Sequence, residues 1–163
     1  MLKKIIVIAI ALCVTLSFTS CGKTKSFTCA DLTMTFPSAY KETDAGREAN
    51  MLLTDGKSTV SIKRLSVIDA EEQGINSSYS DMQFAKFFLI NSDIDGTISS
   101  YSGVPYYTYY DNAGGVRLFC LAAFYRSPYA YFIVIFATAA ERESEARNEY
   151  FEIITTATYK IVN

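Results

Sequence analysis

The chain is 163 residues long and half hydrophobic, with 15 Lys and Arg against 17 Asp and Glu and no histidine. A net charge of −2 and no basic stripe interleaved with aromatics argue against nucleic acid as a partner. The missing histidine removes the commonest general base, the Ser-His and Cys-His nucleophile pairs and the commonest zinc ligand.

Lys3 and Lys4 precede an apolar run from Ile5 to Leu16, and small polar residues (Ser17, Thr19, Ser20) lead to Cys21. This three-part order is an export signal. The run matches the ~7–15 residues of a signal core and falls short of the roughly 20 that cross a bilayer, so no permanent transmembrane anchor is expected. Phe18 to Gly22 resembles the lipobox of bacterial lipoproteins, in which small residues precede a cysteine that receives diacylglycerol; Phe18 stands where Leu is usual. Residues 1–20 are accordingly read as a lipoprotein signal peptide, Cys21 as the lipidated residue, 21–25 as a tether and 26–163 as one domain. The expected location is outside the cytoplasm, anchored to the bacterial membrane by lipid. Two acyl chains give stable anchoring where one is marginal. The alternative is ordinary secretion, with Cys21 left as a tail thiol or disulfide partner. Lys23 and Lys25 either favour an anionic surface or simply solubilise the tail.

Phe27–Cys29 and Leu32–Phe36 alternate around Asp31 and stop at Pro37, which predicts a hairpin. Met51–Thr54 and Ser58–Val67 flank Asp55-Gly56 and predict a second. Residues 40–50 and 69–78 read as longer loops. From Ser80, a natural N-cap, the period becomes helical, with Met82, Ala85, Phe88 and Leu89 on one face. Strand patterns return at Thr97–Tyr101, Val104–Tyr110, Val116–Tyr125 and Tyr129–Thr138, separated by Gly103-Val104-Pro105, by residues 112–115 and by Arg126-Ser127-Pro128. They predict an antiparallel meander. Two of its strands, VRLFCLAAFY and YAYFIVIFAT, are apolar at nearly every position, so both faces of the sheet's centre must be covered. Glu141–Thr156 predicts a closing helix with Ala146, Tyr150, Ile153, Ile154 and Ala157 inward and acids near its N-terminus.

The predicted class is therefore α+β, an antiparallel sheet of about six to eight strands flanked by helices. The segments FTCADLTMTFPSAY, GVPYYTYY, YFIVIFAT and YFEIITTATYK resemble the PsbP-like α/β/α sandwich. That fold serves a photosystem II extrinsic subunit, a Ran-binding nuclear import factor and many small bacterial lipoproteins. Its motifs carry no catalytic signature, so the resemblance implies a non-enzymatic accessory or binding protein without cofactor.

Three groups of residues are candidates for a site. Asn91, Asp93, Asp95 and Gly96 match the opening of a calcium loop, but Ser102 stands where a bidentate Glu is needed, leaving a weak calcium candidate beside the plain reading of a polar turn. Tyr101, Tyr106, Tyr107, Tyr109 and Tyr110 lie in adjacent strands and offer flat apolar faces with polar tips to a glycan, peptide or envelope protein. Alternation sends Tyr107 and Tyr109 to the face opposite Tyr106 and Tyr110. Cys29 and Cys120 either form a disulfide, which export permits, or are buried thiols. The leading functional expectation is a non-catalytic, lipid-anchored binding or accessory module. A structural envelope component docking on a membrane complex is the alternative, and a carboxylate-dependent hydrolase comes third.

Overall fold

The computed structural model describes residues 23–47, 49–92 and 96–160, so Cys21, Asp93 and Asp95 lie outside the described part. Its first hairpin pairs β1 (Thr24–Cys29) with β2 (Leu32–Pro37) from Thr24↔Pro37 to Cys29↔Leu32. The strand starts earlier than the pattern suggested: Thr24 and Lys25, read as tether, already belong to the sheet. Lys25 lays its ammonium 4.6 Å from the centre of the Phe27 ring, which gives this exposed residue a reason to stay extended. β10 (Thr158–Tyr159) pairs with the other edge of β2 and completes a three-stranded sheet.

The larger sheet contains β3 (Lys41–Thr43), β4 (Met51–Thr54), β5 (Ser58–Ser66), β6 (Ser99–Tyr101), β7 (Val104–Ala113), β8 (Val116–Arg126) and β9 (Ala130–Ala139). Its seven strands run in the order β3-β4-β5-β9-β8-β7-β6, every neighbour antiparallel. The second hairpin and the meander therefore form as their patterns predict, and β9 joins them by pairing along β5 from Ser58↔Thr138 to Ser66↔Ala130. The turn before β7 is Ser102-Gly103, with φ of +49° and +87°, so the strand runs on through Pro105. Positive φ at both central residues matches the twist of a two-residue hairpin.

Three α-helices lie among the described residues: α1 (Val67–Glu72), α2 (Asp81–Asn91) and α3 (Glu143–Ile154), the last entered through a 3-10 turn at Ala140–Arg142. α1 occupies part of the stretch expected as a loop. Its start signal is Ser66, whose Oγ accepts from the Asp69 N–H at 3.1 Å and donates to Asp69 Oδ2 at 2.6 Å. Its end is a Schellman turn: Ile75 N–H donates to Ala70 O and Gly74 N–H to Glu71 O, both at 2.9 Å, with Gly74 at φ +82°. In α2, Ser80 and Gln83 form a capping box, and the inward residues are Phe84, Ala85 and Phe88. Met82 and Leu89, expected on that face, are only half-buried, because the helix is apolar on most sides and the sheet selects the aromatic pair.

α1 and α2 cover one face of the large sheet; α3 and the small sheet cover the other. Strand alternation divides the two apolar strands between them. Phe119, Leu121, Ala123 and Tyr125 of β8 join Phe132, Val134 and Phe136 of β9 in the core under α3. Ala122 and Phe124 join Tyr131, Ile133 and Ile135 in the core under α1 and α2. Both faces are covered, as an unbroken apolar strand requires.

This layering decides the cysteines. Cys29 packs in the core on the α3 side, whereas Cys120 points to the opposite face with Leu118 and Ala137. Both are buried free thiols. The disulfide option fails because the sheet lies between them. Burial pushes the Cys29 thiol up, and pushes Cys120 up to about 12.

Candidate functional site

The structure splits the tyrosine cluster between the two faces. Tyr107 is buried among the rings under α2, stacked on Phe124 at 5.9 Å and on Tyr109 at 5.2 Å. Desolvation raises the pKa of both phenols far above the ordinary value. Tyr107 is thus a core residue, and Tyr109 is a half-buried one packed against that core. On the other face Tyr101, 41% exposed, lies flat on Phe151 of α3 at 4.5 Å, and Tyr106 meets the same ring edge-on at 5.0 Å. Tyr110, half exposed, donates a hydrogen bond to Glu143, which also pairs with Arg147 one helical turn on. Arg147 and then Tyr110 hold the Glu143 carboxyl below the usual range. Arg117 covers the Tyr110 ring at 4.2 Å. Tyr101, Tyr106 and Tyr110 thus form an aromatic strip that ties α3 to the sheet edge.

The other acids have structural duties as well. Glu149 accepts from the Tyr40 hydroxyl at 2.9 Å, and burial raises its carboxyl. Asp55 Oδ1 accepts from the N–H groups of Lys57 and Ser58 and shapes the β4–β5 turn. Asp31, buried in the β1–β2 turn, faces Arg64 at 3.7 Å. Asn91 ends α2 with its amide turned back to Phe87 O at 2.7 Å, which accounts for that member of the calcium candidate as a helix-end residue. Among the described residues no three His, Cys, Asp or Glu side chains converge as metal ligands.

Among the described residues a partly enclosed concavity lies on the α1/α2 face, where no motif had pointed. β5 and β9 supply its floor through Lys63, Leu65 and Ile133; Lys63 and Ile133 are direct cross-strand partners. One wall is α2, with Phe84, Phe87, Phe88 and Asn91; the other is Gln73 and Ile75 at the end of α1. The cavity holds about 110 Å³ and its lining is mostly apolar. Local chemistry explains the gap. α1 is one and a half turns long, and its Schellman turn throws Ile75 back onto Ala70, so the helix layer is interrupted between α1 and α2.

The loop beyond Ile75 is fastened from beneath. The Tyr131 hydroxyl donates to Asn76 O at 2.8 Å, and an Arg126 guanidinium nitrogen donates to Ser77 O at 2.6 Å. Tyr79 packs on Phe87 at 6.2 Å between ring centres. These contacts fix the wall against collapse onto the floor. In the sequence the cavity left one trace: Lys63 sits in register with Leu65 on a strand face that a helix layer was expected to cover.

No family model matches the chain, and no curated protein matches it by sequence. Solved structures do. A crystal structure from Bacteroides thetaiotaomicron aligns with a TM-score of 0.60 and 15% identity, over 85% of this chain and 48% of that one, so the chain spans about half the length of that protein. The solution structure of cyanobacterial PsbP (CyanoP) from Synechocystis sp. PCC 6803 aligns at 0.52 and 10% identity, over 90% of this chain and 98% of that one. LpqN, described as involved in cell envelope biogenesis of Mycobacterium tuberculosis, gives 0.46 and 13% identity over 83% and 90% of the two chains. The near-complete mutual coverage with CyanoP gives this chain the PsbP-like α+β fold. Among the described residues no helix is long and apolar enough to cross a membrane.

Proposed function

We propose that this chain is a non-catalytic, extracytoplasmic accessory protein, held at the membrane by diacylglycerol on Cys21, that binds a small apolar group in the cavity between its helix layer and its sheet. The cavity carries this reading. It is mostly apolar, walled by three phenylalanines and braced by the Tyr131 and Arg126 hydrogen bonds, a small greasy concavity of the kind that takes a guest of about one ring. The acids described above cap, pair or shape turns, and histidine is missing from the sequence, which supports binding over hydrolysis. β1 starts three residues after Cys21, a covalent reach of about 10 Å, so an anchored domain rides close to the headgroups.

Toluene titrated into methyl-labelled protein tests the cavity. Shifts confined to Ile75 and Ile133, with Ile153 on the other face unmoved, are the expected result; no shift at the cavity isoleucines rejects the binding reading. Intact mass of the native N-terminus tests the anchor, and an unmodified Cys21 thiol rejects it.

A second reading is favoured by the Tyr101–Phe151 stack. Its exposed aromatic face suits docking on an envelope protein or glycan. Loss of a crosslinked partner in the Tyr101→Ser variant, with the fold intact, is what this reading expects.

A further inference from the structure

We infer that the cavity's ligand is a small carboxylic acid, its apolar body inside and its carboxylate at Lys63; this rests on the binding reading proposed above. Among the described residues Lys63 is the one charged member of the lining, and strand alternation puts it on the same sheet face as Leu65. Its cross-strand neighbour is Ile133, so the lysine stem runs along the apolar floor and its ammonium stands at the margin. Among the described residues no carboxylate pairs with it: the ion pairs found there are Asp31–Arg64, Arg142–Glu145 and Glu143–Arg147. The remaining polar members of the lining, Gln73 and Asn91, are neutral amides. A half-buried lysine beside greasy walls, with no acid among the described lining residues, selects an anion over a cation and over a neutral alcohol of equal shape.

Size narrows the class further. The cavity of about 110 Å³ is somewhat smaller than the roughly 150 Å³ that admits benzene in an engineered protein core. It therefore accepts one ring or a short branched chain at most, with the headgroup outside. Of a longer acyl chain it covers only a short stretch.

The test compares 3-phenylpropionate, 3-phenylpropan-1-ol and 3-phenylpropylamine, titrated into the full chain and followed at the Ile75 and Ile133 methyls, with Ile153 as the fold control. The acid is expected to bind about tenfold tighter than the alcohol, the amine most weakly, as one charge-assisted contact implies. Lys63→Gln should erase the acid's advantage and leave the alcohol unchanged, and Lys63→Arg should keep it. Equal binding of acid and alcohol, or an advantage that survives Lys63→Gln, overturns this inference while leaving the binding reading standing. If none of the three moves Ile75 or Ile133, both fall together. Ile133→Phe, which fills the floor, should abolish the shift at Ile75 for all three.

Discussion

The two faces of the large sheet are built from the same strands and finished differently. On the α3 side Tyr150 lies between Phe119 and Phe136, at 6.4 and 4.7 Å between ring centres, and Phe36 of the small sheet closes on Phe136 at 6.4 Å. On the α1/α2 side Phe84 and Phe88 pack on Phe124 at 5.7 and 5.4 Å, but over β5 the covering thins and the cavity opens. A second sheet plus a 12-residue helix closes tightly over Phe136, whereas a six-residue helix followed by a reversal leaves a gap over β5. Tight packing supplies stability; the unfilled seam is where we propose a ligand sits.

The largest expected effect tests the sealed face. Phe136→Ala removes a fully buried ring that touches both Phe36 and Tyr150, and should cost about 3–5 kcal/mol in chemical denaturation. Enlarging side chains separates the faces more sharply. Val134→Phe, under α3 and fully buried, overpacks and should cost about 1–3 kcal/mol. Leu65→Phe extends into the cavity and should cost less than about 0.5 kcal/mol or stabilise, since it has space to fill. Equal penalties for the two would show that the seam closes in solution.

Ser80→Ala removes the cap of the cavity's main wall and should cost about 1 kcal/mol, read by the same denaturation. Alkaline pH gives the most diffuse effect, spread over several pH units. Cys120 holds its proton up to about 12 in the folded state, while an unfolded thiol loses it near ~8.5. The folded state then binds more protons than the unfolded one, so this contribution is whole below the ordinary thiol range and declines as pH climbs toward about 12. A Cys120→Ala variant should show a flatter decline of melting temperature across that interval, and both native thiols should resist alkylation at neutral pH.

Local pattern was enough for the elements that carry their own signals. Ser80 with Gln83, Asp55-Gly56 and the two apolar strands each specify a cap, a turn or double-sided burial through neighbours in sequence, and each is realised. α1 reads as strand end and loop: its signals, Ser66-x-x-Asp69 at the start and Gly74 at the end, are there, but six residues are too few to display a helical period. β3 and β10 are short and exposed, and they exist because β4 and β2 present edges to them.

Composition and order along the chain determined the α+β class, the meander and the alternation that parts Tyr107 from Tyr106. Only the tertiary structure decided that Cys29 and Cys120 are separated by a sheet, that Tyr101 spends one face on Phe151, and that Lys63 borders an open cavity. The reason is range. Caps, turns and periodicity act over a few residues, whereas a cavity is the space left between segments whose separation no local interaction encodes.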